Sequence, residues 1–190
     1  MLFSLIVSAG SIAVSHTRVG VRAASPLDFH SVVALRRDIA PPGVDRGTRR
    51  AAVDVMTARQ THGMLCLLAH DEDGGLFGSL ECSTSEFANT RLATSNALYV
   101  TEVAVAASAR RSGVASALLR KVDDVATLSG IHSVYLHVEA GNGAARRLYR
   151  KAGYEELDAT PLHSSFAADL GLYSGAFAGF EHLLCRKRFL

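Results

Sequence analysis

The chain holds only three cysteines, Cys66, Cys82 and Cys185, far apart and without a Cys-x-x-Cys pair, and no histidine stands at metal-ligand spacing. That excludes a zinc cluster and a disulfide framework as readings of the sequence, so no metal is expected and the thiols read as buried or free in a reducing compartment. Charge of one sign is scarce too. Twenty basic against 18 acidic residues leave a net +2 with no long basic run, which gives nucleic acid no reason to bind. Residues 1–16 carry no Lys, Arg, Asp or Glu, and acidic residues begin only at Asp28. Their apolar run Leu2 to Val7 resembles the core of a targeting peptide, but it lacks a basic start and is too short to span a bilayer. Two expectations stay open for residues 1–16: a leader, including one that delivers the chain to an organelle, or an extra strand. The rest, 17–190, reads as a single domain. At 190 residues and 48% hydrophobic content the chain can bury one sizeable core.

Apolar periodicity alternates between strand and helix. Val19 to Ala24 predicts a strand. Ser25-Pro26-Leu27-Asp28 predicts a helix start with a capping box, and Phe29, Val32, Val33, Leu35 and Ile39 supply the buried stripe. Arg36 is expected at the edge of that stripe, its stem packed and its guanidinium in water. Pro41-Pro42 ends the helix. A second helix is expected from about Arg46 to Thr61, then strands Met64 to His70 and Leu76 to Ser83 joined by the turn Asp71-Glu72-Asp73-Gly74-Gly75. After a polar loop, Thr84 to Asn96, come strand Leu98 to Val105, helix Gly113 to Ser129, strand Ser133 to Glu139, helix Asn142 to Ala152, and strands Tyr154 to Leu157 and His182 to Phe189. The Gly-, Ala- and Ser-rich stretch Asp158 to Glu181 between the last two strands is expected to cover an acceptor site.

Two segments carry chemistry. Strand Leu98 to Val105 passes through a basic turn, Arg110-Arg111-Ser112-Gly113, into the helix that begins Val114-Ala115-Ser116. Helix starts leave N–H groups without partners and carry the positive end of the macrodipole, so a diphosphate fits there. Gly113 and Ala115 let the backbone approach it, and Arg110 and Arg111 add charge. An ordinary strand-to-helix turn with solvated arginines would read the same. The second segment is a helix capped by Asn142, with Ala145, Leu148, Tyr149 and Ala152 at helical spacing and Gly153 at its end.

Arg110-x-x-Gly113-x-Ala115 followed by Asn142-x-x-Ala145-x-x-Leu148-Tyr149-x-x-x-Gly153-Tyr154 resembles the two signature motifs of the GNAT superfamily of acetyl-CoA-dependent N-acetyltransferases. The likeness covers Leu98 to Tyr154. It implies an α/β GNAT fold: a mixed central sheet of about six to seven strands with helices on both faces, splayed between the fourth and fifth strands. It also implies acetyl-CoA as co-substrate, held by Arg110, Arg111, Ser112, Gly113, Val114, Ala115 and Ser116. The backbone of Val103, Ala104 and Val105 would donate to the oxyanion, and Asn142 and Tyr149 would contact the pantetheine arm and the sulfur.

An acceptor amine must lose a proton before or during attack. In strand Ser133 to Glu139, alternation places Val134, Leu136 and Val138 on one face and Tyr135, His137 and Glu139 on the other. A histidine of ordinary pKa near 6.5 can take that proton, although a lone strand histidine can equally be structural. Leu136-His137-Val138 with Asn142 close behind resembles the protein N-terminal acetyltransferase branch, which implies His137 as base and Tyr99 as its partner on a shared water. Glu102 is the rival base, depending on a strand bulge. Tyr149 is the implied general acid for the departing thiolate. The acceptor these matches imply is a protein N-terminal α-amine, with lysine ε-amines as a second class. The long 158–181 segment, where Tyr173 would replace a gripping hairpin, and the ending His182-Leu183-Leu184-Cys185-Arg186-Lys187-Arg188 look more like plastid-type GNAT enzymes, which implies a plastid or another organelle, with the cytoplasm as the alternative. Two other classes compete: a small-molecule amine acetyltransferase, for which no acidic cluster exists beyond Asp71-Glu72-Asp73, and a non-catalytic acyl-CoA-binding module. The other seven histidines receive no role.

Overall fold

Why the strand Leu65 to His70 reads as a nearly unbroken apolar run is explained by burial on both faces. In the computed structural model, which describes residues 10–14, 17–40, 47–84, 97–161 and 181–189, helices cover the two sides of one sheet. The strands are β1 (Gly10–Val14), β2 (Thr17–Ala23), β3 (Leu65–His70), β4 (Leu76–Ser83), β5 (Ala97–Val105), β6 (Ser133–Glu139), β7 (Glu155–Pro161) and β8 (Glu181–Arg188). The helices are α1 (Phe29–Asp38), α2 (Arg49–Thr61), α3 (Val114–Leu128) and α4 (Gly143–Lys151). The sheet runs β1-β2-β3-β4-β5-β6-β8-β7, so the last strand slots between β6 and β7. Every neighbouring pair is antiparallel except β5 and β6.

This is the expected fold, and the extra strand left open for residues 1–16 is present as β1, paired with β2 from Gly10↔Val21 to Val14↔Thr17. The Pro41-Pro42 stop, most of the 84–96 loop, the bulk of the 158–181 segment with Tyr173, and residues 1–9, 15 and 16 lie outside the described residues.

The two faces of β3 show how the core divides. Leu65, Leu67 and Ala69 join the cluster beneath α3, with Leu80, Leu98, Leu118 and Val122. Cys66 and Leu68 point the other way, into the cluster of Phe29, Val32, Val33 and Met56 beneath α1 and α2. The predicted capping box is present, Ser25 N donating to Asp28 Oδ2 at 2.7 Å, but it opens a 3-10 turn, Pro26–Asp28, and α1 follows it from Phe29. α2 starts later than expected, because Thr48 rather than an earlier residue accepts from Ala51 N at 3.1 Å. Gly78 is required by a close approach. A Cβ there would lie 2.8 Å from the Ala104 carbonyl oxygen and 2.9 Å from Val114 Cγ1, so only glycine lets the first turn of α3 dock on β4. All three cysteines are buried, and none forms a disulfide.

Candidate active site

β5 and β6 part company halfway along. Their register runs from Ala97↔Ser133 to Val100↔Leu136 and stops. Beyond it, β5 stays with β4 through Thr101↔Glu81, Ala104↔Ser79 and Val105↔Gly78, while β6 stays with β8 through His137↔Leu184 to Glu139↔His182. Each strand follows its outer neighbour, and a fork opens between them. Val103, Ala104 and Val105 line one prong and His137 the other.

The β5 prong contains a bulge. Opposite the two-residue step from Ser79 to Glu81, β5 takes a three-residue step, from Ala104 to Thr101. The extra residue is accommodated around Glu102, whose φ of 52° is left-handed, a conformation costing a non-glycine residue about 1–3 kcal/mol. Glu102 is tied to α1, its Oε2 lying 3.9 Å from Arg36 Nη1. Here the expectation for Arg36 is overturned. Its guanidinium is not in water: the residue is 3% exposed, Nε donates to Ser79 Oγ at 3.2 Å and Nη1 donates to Glu81 Oε1. β4 lies inside the sheet with helices over both faces, so its polar side, Ser79, Glu81 and Ser83, is buried and needs a cation. Arg59 of α2 adds a second, Nη1 donating to Glu81 Oε2 at 3.0 Å. Burial works against the Arg36 charge, but Glu81 and Glu102 hold its pKa above the ordinary value.

Past the bulge, β5 leads through the 3-10 turn Ala107–Ala109 to the basic turn. Arg111 has φ 67° and Gly113 φ 89°. Gly113 is the N-cap of α3 rather than its first residue, and it offers no side-chain cap, so the opening N–H groups of Val114, Ala115 and Ser116 face a concave turn. Arg110 and Arg111 are exposed at its rim, and Ser112 Oγ donates to the Ala109 carbonyl at 2.5 Å. A Cβ on Gly113 would meet nothing within 4 Å. The space in front of the helix start is open.

Across the fork, Tyr99 and His137 meet. The Tyr99 hydroxyl and His137 Nδ1 share a hydrogen bond, and the ring centroids are 5.7 Å apart. Tyr99 is 2% exposed, in a small apolar group with Ala97, Tyr135 and Leu184. Burial first, and His182 second, push the His137 pKa down from 6.5 to about 4. His182, given no role by the sequence, is 3% exposed opposite Glu139 and thus diagonal to His137 on the same face. Its proximity could not be foreseen while the position of β8 in the sheet was unknown.

Tyr149 of α4 is buried in the main cluster, edge-on to Tyr154 at 6.0 Å. Burial, then Cys185, raises its phenol above the ordinary value. Asn142 caps α4, its Oδ1 accepting from Ala145 N at 3.0 Å. Among the described residues no group of three or more His, Cys, Asp or Glu is placed to hold a metal ion.

Comparisons with known proteins bear on this geometry. A family model described as the acetyltransferase (GNAT) family matches residues 30–154. The chain is 39% identical over 66 residues to GCN5-related N-acetyltransferase 6, chloroplastic, of Arabidopsis thaliana, a match spanning 35% of this chain and 23% of that one. Among solved structures, a ribosomal-protein-alanine N-acetyltransferase from Brucella melitensis superposes with a TM-score of 0.69 at 20% identity, covering 89% of this chain and 99% of that one. A spermidine N-acetyltransferase SpeG chimera from Vibrio cholerae and hSSAT gives 0.68 at 15% identity, over 90% and 95%. A PaiA N-acetyltransferase from Thermoplasma acidophilum in complex with coenzyme A gives 0.64 at 14% identity, over 90% and 99%. At such identities the structures share a fold with this chain.

Proposed function

The chain belongs to the GNAT family of acetyltransferases, and we propose on that premise that it moves acetyl from acetyl-CoA directly to protein amines, the N-terminal α-amine before lysine. The observation that carries this reading is the Tyr99–His137 pair at the fork. The open space before Gly113, the unpartnered helix start and the exposed Arg110 and Arg111 suit a pyrophosphate, so Arg110 to Ser116 would hold the cofactor's diphosphate. When bound, acetyl-CoA supplies an activated thioester. The chain's own residues do the rest. N–H groups of Val103 to Val105 donate to the oxyanion that develops at the fork. For His137 Nε2 to accept a proton, Nδ1 must carry one and donate it to the Tyr99 oxygen, which leaves the Tyr99 O–H to hold a water. Glu102 is the weaker candidate base, since its carboxylate is engaged with Arg36.

The acceptor's own pKa favours one class. Deprotonating a lysine ammonium of pKa near 10.4 costs roughly 3 kcal/mol more than deprotonating an α-ammonium near 8, whichever base takes the proton. An α-amine is also about one part in ten neutral at pH 7, which a lysine is not. Tyr149, its proton held more tightly than a thiol near 8.5 holds its own, acts by hydrogen bonding to the departing sulfur rather than by giving up its proton outright. The chloroplastic name of the Arabidopsis relative supports a plastid location, and no helix among the described residues is long and apolar enough to cross a membrane.

The pH profile tests the base. His137 works in its neutral form and gains a proton only below about 4, so it does not titrate between pH 5 and 8. With an α-amine peptide, log kcat/KM is expected to rise with a slope of about one toward the amine pKa near 8, without a break near 6.5. A break near 6.5 would mean that an imidazole of ordinary pKa controls the rate. The cradle has its own test. Gly113→Ala forces a side chain onto φ 89° in front of the helix start, and it is expected to weaken coenzyme A binding about tenfold or more in a calorimetric titration. Unchanged affinity would place the diphosphate elsewhere.

A further inference from the structure

The residues that bracket the β5 bulge share one partner. Ser79 and Glu81 are the β4 residues between which the register slips, and Glu102 is the left-handed residue opposite them. Arg36 touches all three: Nε bonds Ser79, Nη1 bonds Glu81 and the same nitrogen lies 3.9 Å from Glu102. A planar guanidinium can meet three groups at fixed angles, which a lysine ammonium on a flexible stem cannot do. Arg36 lies 43 residues before Ser79 and 45 before Glu81, so no local turn chemistry makes this contact. The residues immediately after the bulge are Val103, Ala104 and Val105, on the β5 prong of the fork.

We infer that Arg36 is a positioning residue for acetyl transfer: by gripping Ser79, Glu81 and Glu102 from α1 it fixes the β5 bulge, and through it the direction of the Val103 to Val105 amides. It touches no reacting atom. The inference rests on the reading of those amides as the oxyanion donors. Glu102 thereby has a role other than proton transfer: it is the β5 end of a clamp, and its left-handed backbone is held from a different layer of the fold. Arg59 acts from α2 on the far oxygen of Glu81, which keeps that carboxylate turned toward Arg36.

Hydrogen exchange and kinetics on the full-length chain test this together. In Arg36→Lys without ligand, amides of Thr101 to Val105 are expected to exchange faster than in the wild type, while those of α3 and β6 keep their rates. Turnover should fall about tenfold or more, with the coenzyme A dissociation constant unchanged within about twofold, because the diphosphate turn is not part of the clamp. Adding Glu102→Gln to Arg36→Lys should cost no further turnover, since both break one device. Unchanged exchange across Thr101 to Val105, a kcat within about twofold of the wild type or additive losses in the double variant would each overturn the clamp. If Arg36→Lys does not fold, Glu102→Gln alone, which leaves the Arg36–Glu81 pair, carries the same exchange and kcat readouts. A wild-type chain that acetylates no amine would sink the functional reading, and the exchange experiment would still decide whether Arg36 holds the bulge.

Discussion

Replacing His137 with alanine is expected to lower kcat on α-amine peptides by about 10²-fold or more, the usual contribution of a positioned base, with the KM for acetyl-CoA nearly unchanged. The imidazole stands on the β6 prong, away from the diphosphate turn on β5 and α3, so its loss should spare cofactor binding. Tyr99→Phe should give a smaller loss in the same direction, because the ring stays while the hydroxyl bonded to Nδ1 is gone. Steady-state kinetics separates the two parameters. If His137→Ala keeps its turnover, the base lies elsewhere, and Glu102 becomes the residue to replace.

The second large effect is on stability. Glu81 is 1% exposed and balances two guanidinium groups, Arg36 and Arg59. Removing one partner of a buried ion pair leaves an uncompensated charge and costs about 3–5 kcal/mol. Glu81→Ala is expected to lose that much in urea unfolding, a large share of the roughly 5–15 kcal/mol a domain possesses. Cys66 cannot take over as counter-ion, since burial pushes its thiol up to about 12 and it stays neutral. A loss below about 1 kcal/mol would mean that water or Glu102 compensates Arg36.

Much of the site was legible because its parts lie in local patterns. Gly113 reads from a strand-turn-helix sequence, Asn142 from the helix it caps, and His137 from an alternation that the structure keeps, with Val134, Leu136 and Val138 in the main core and Tyr135 on the opposite side. The Tyr99–His137 contact joins residues 38 apart, and the family pattern alone brought them together. The Arg36 cluster was not legible. Ser79, Glu81 and Ser83 alternate with apolar residues as a solvated face would, and only the coverage of β4 by α1 and α2 turns that face into a buried one. One signal was present: Arg36 falls within the stripe of Phe29, Val32, Val33 and Leu35, where a water-facing arginine is out of register. His182 stayed hidden for a topological reason. β8 comes last in sequence yet lies beside β6, ahead of β7.

The central claim is that a half-buried, neutral His137 serves an α-amine. The most direct measurement offers acetyl-CoA and one peptide carrying both a free α-amine and a lysine at pH 7, maps the acetylated nitrogen by mass spectrometry, and runs spermidine in parallel. Acetyl on the α-nitrogen first, with lysine slower and the polyamine untouched, is the predicted result. Acetylation of the polyamine alone would contradict it and make the chain a small-molecule acetyltransferase.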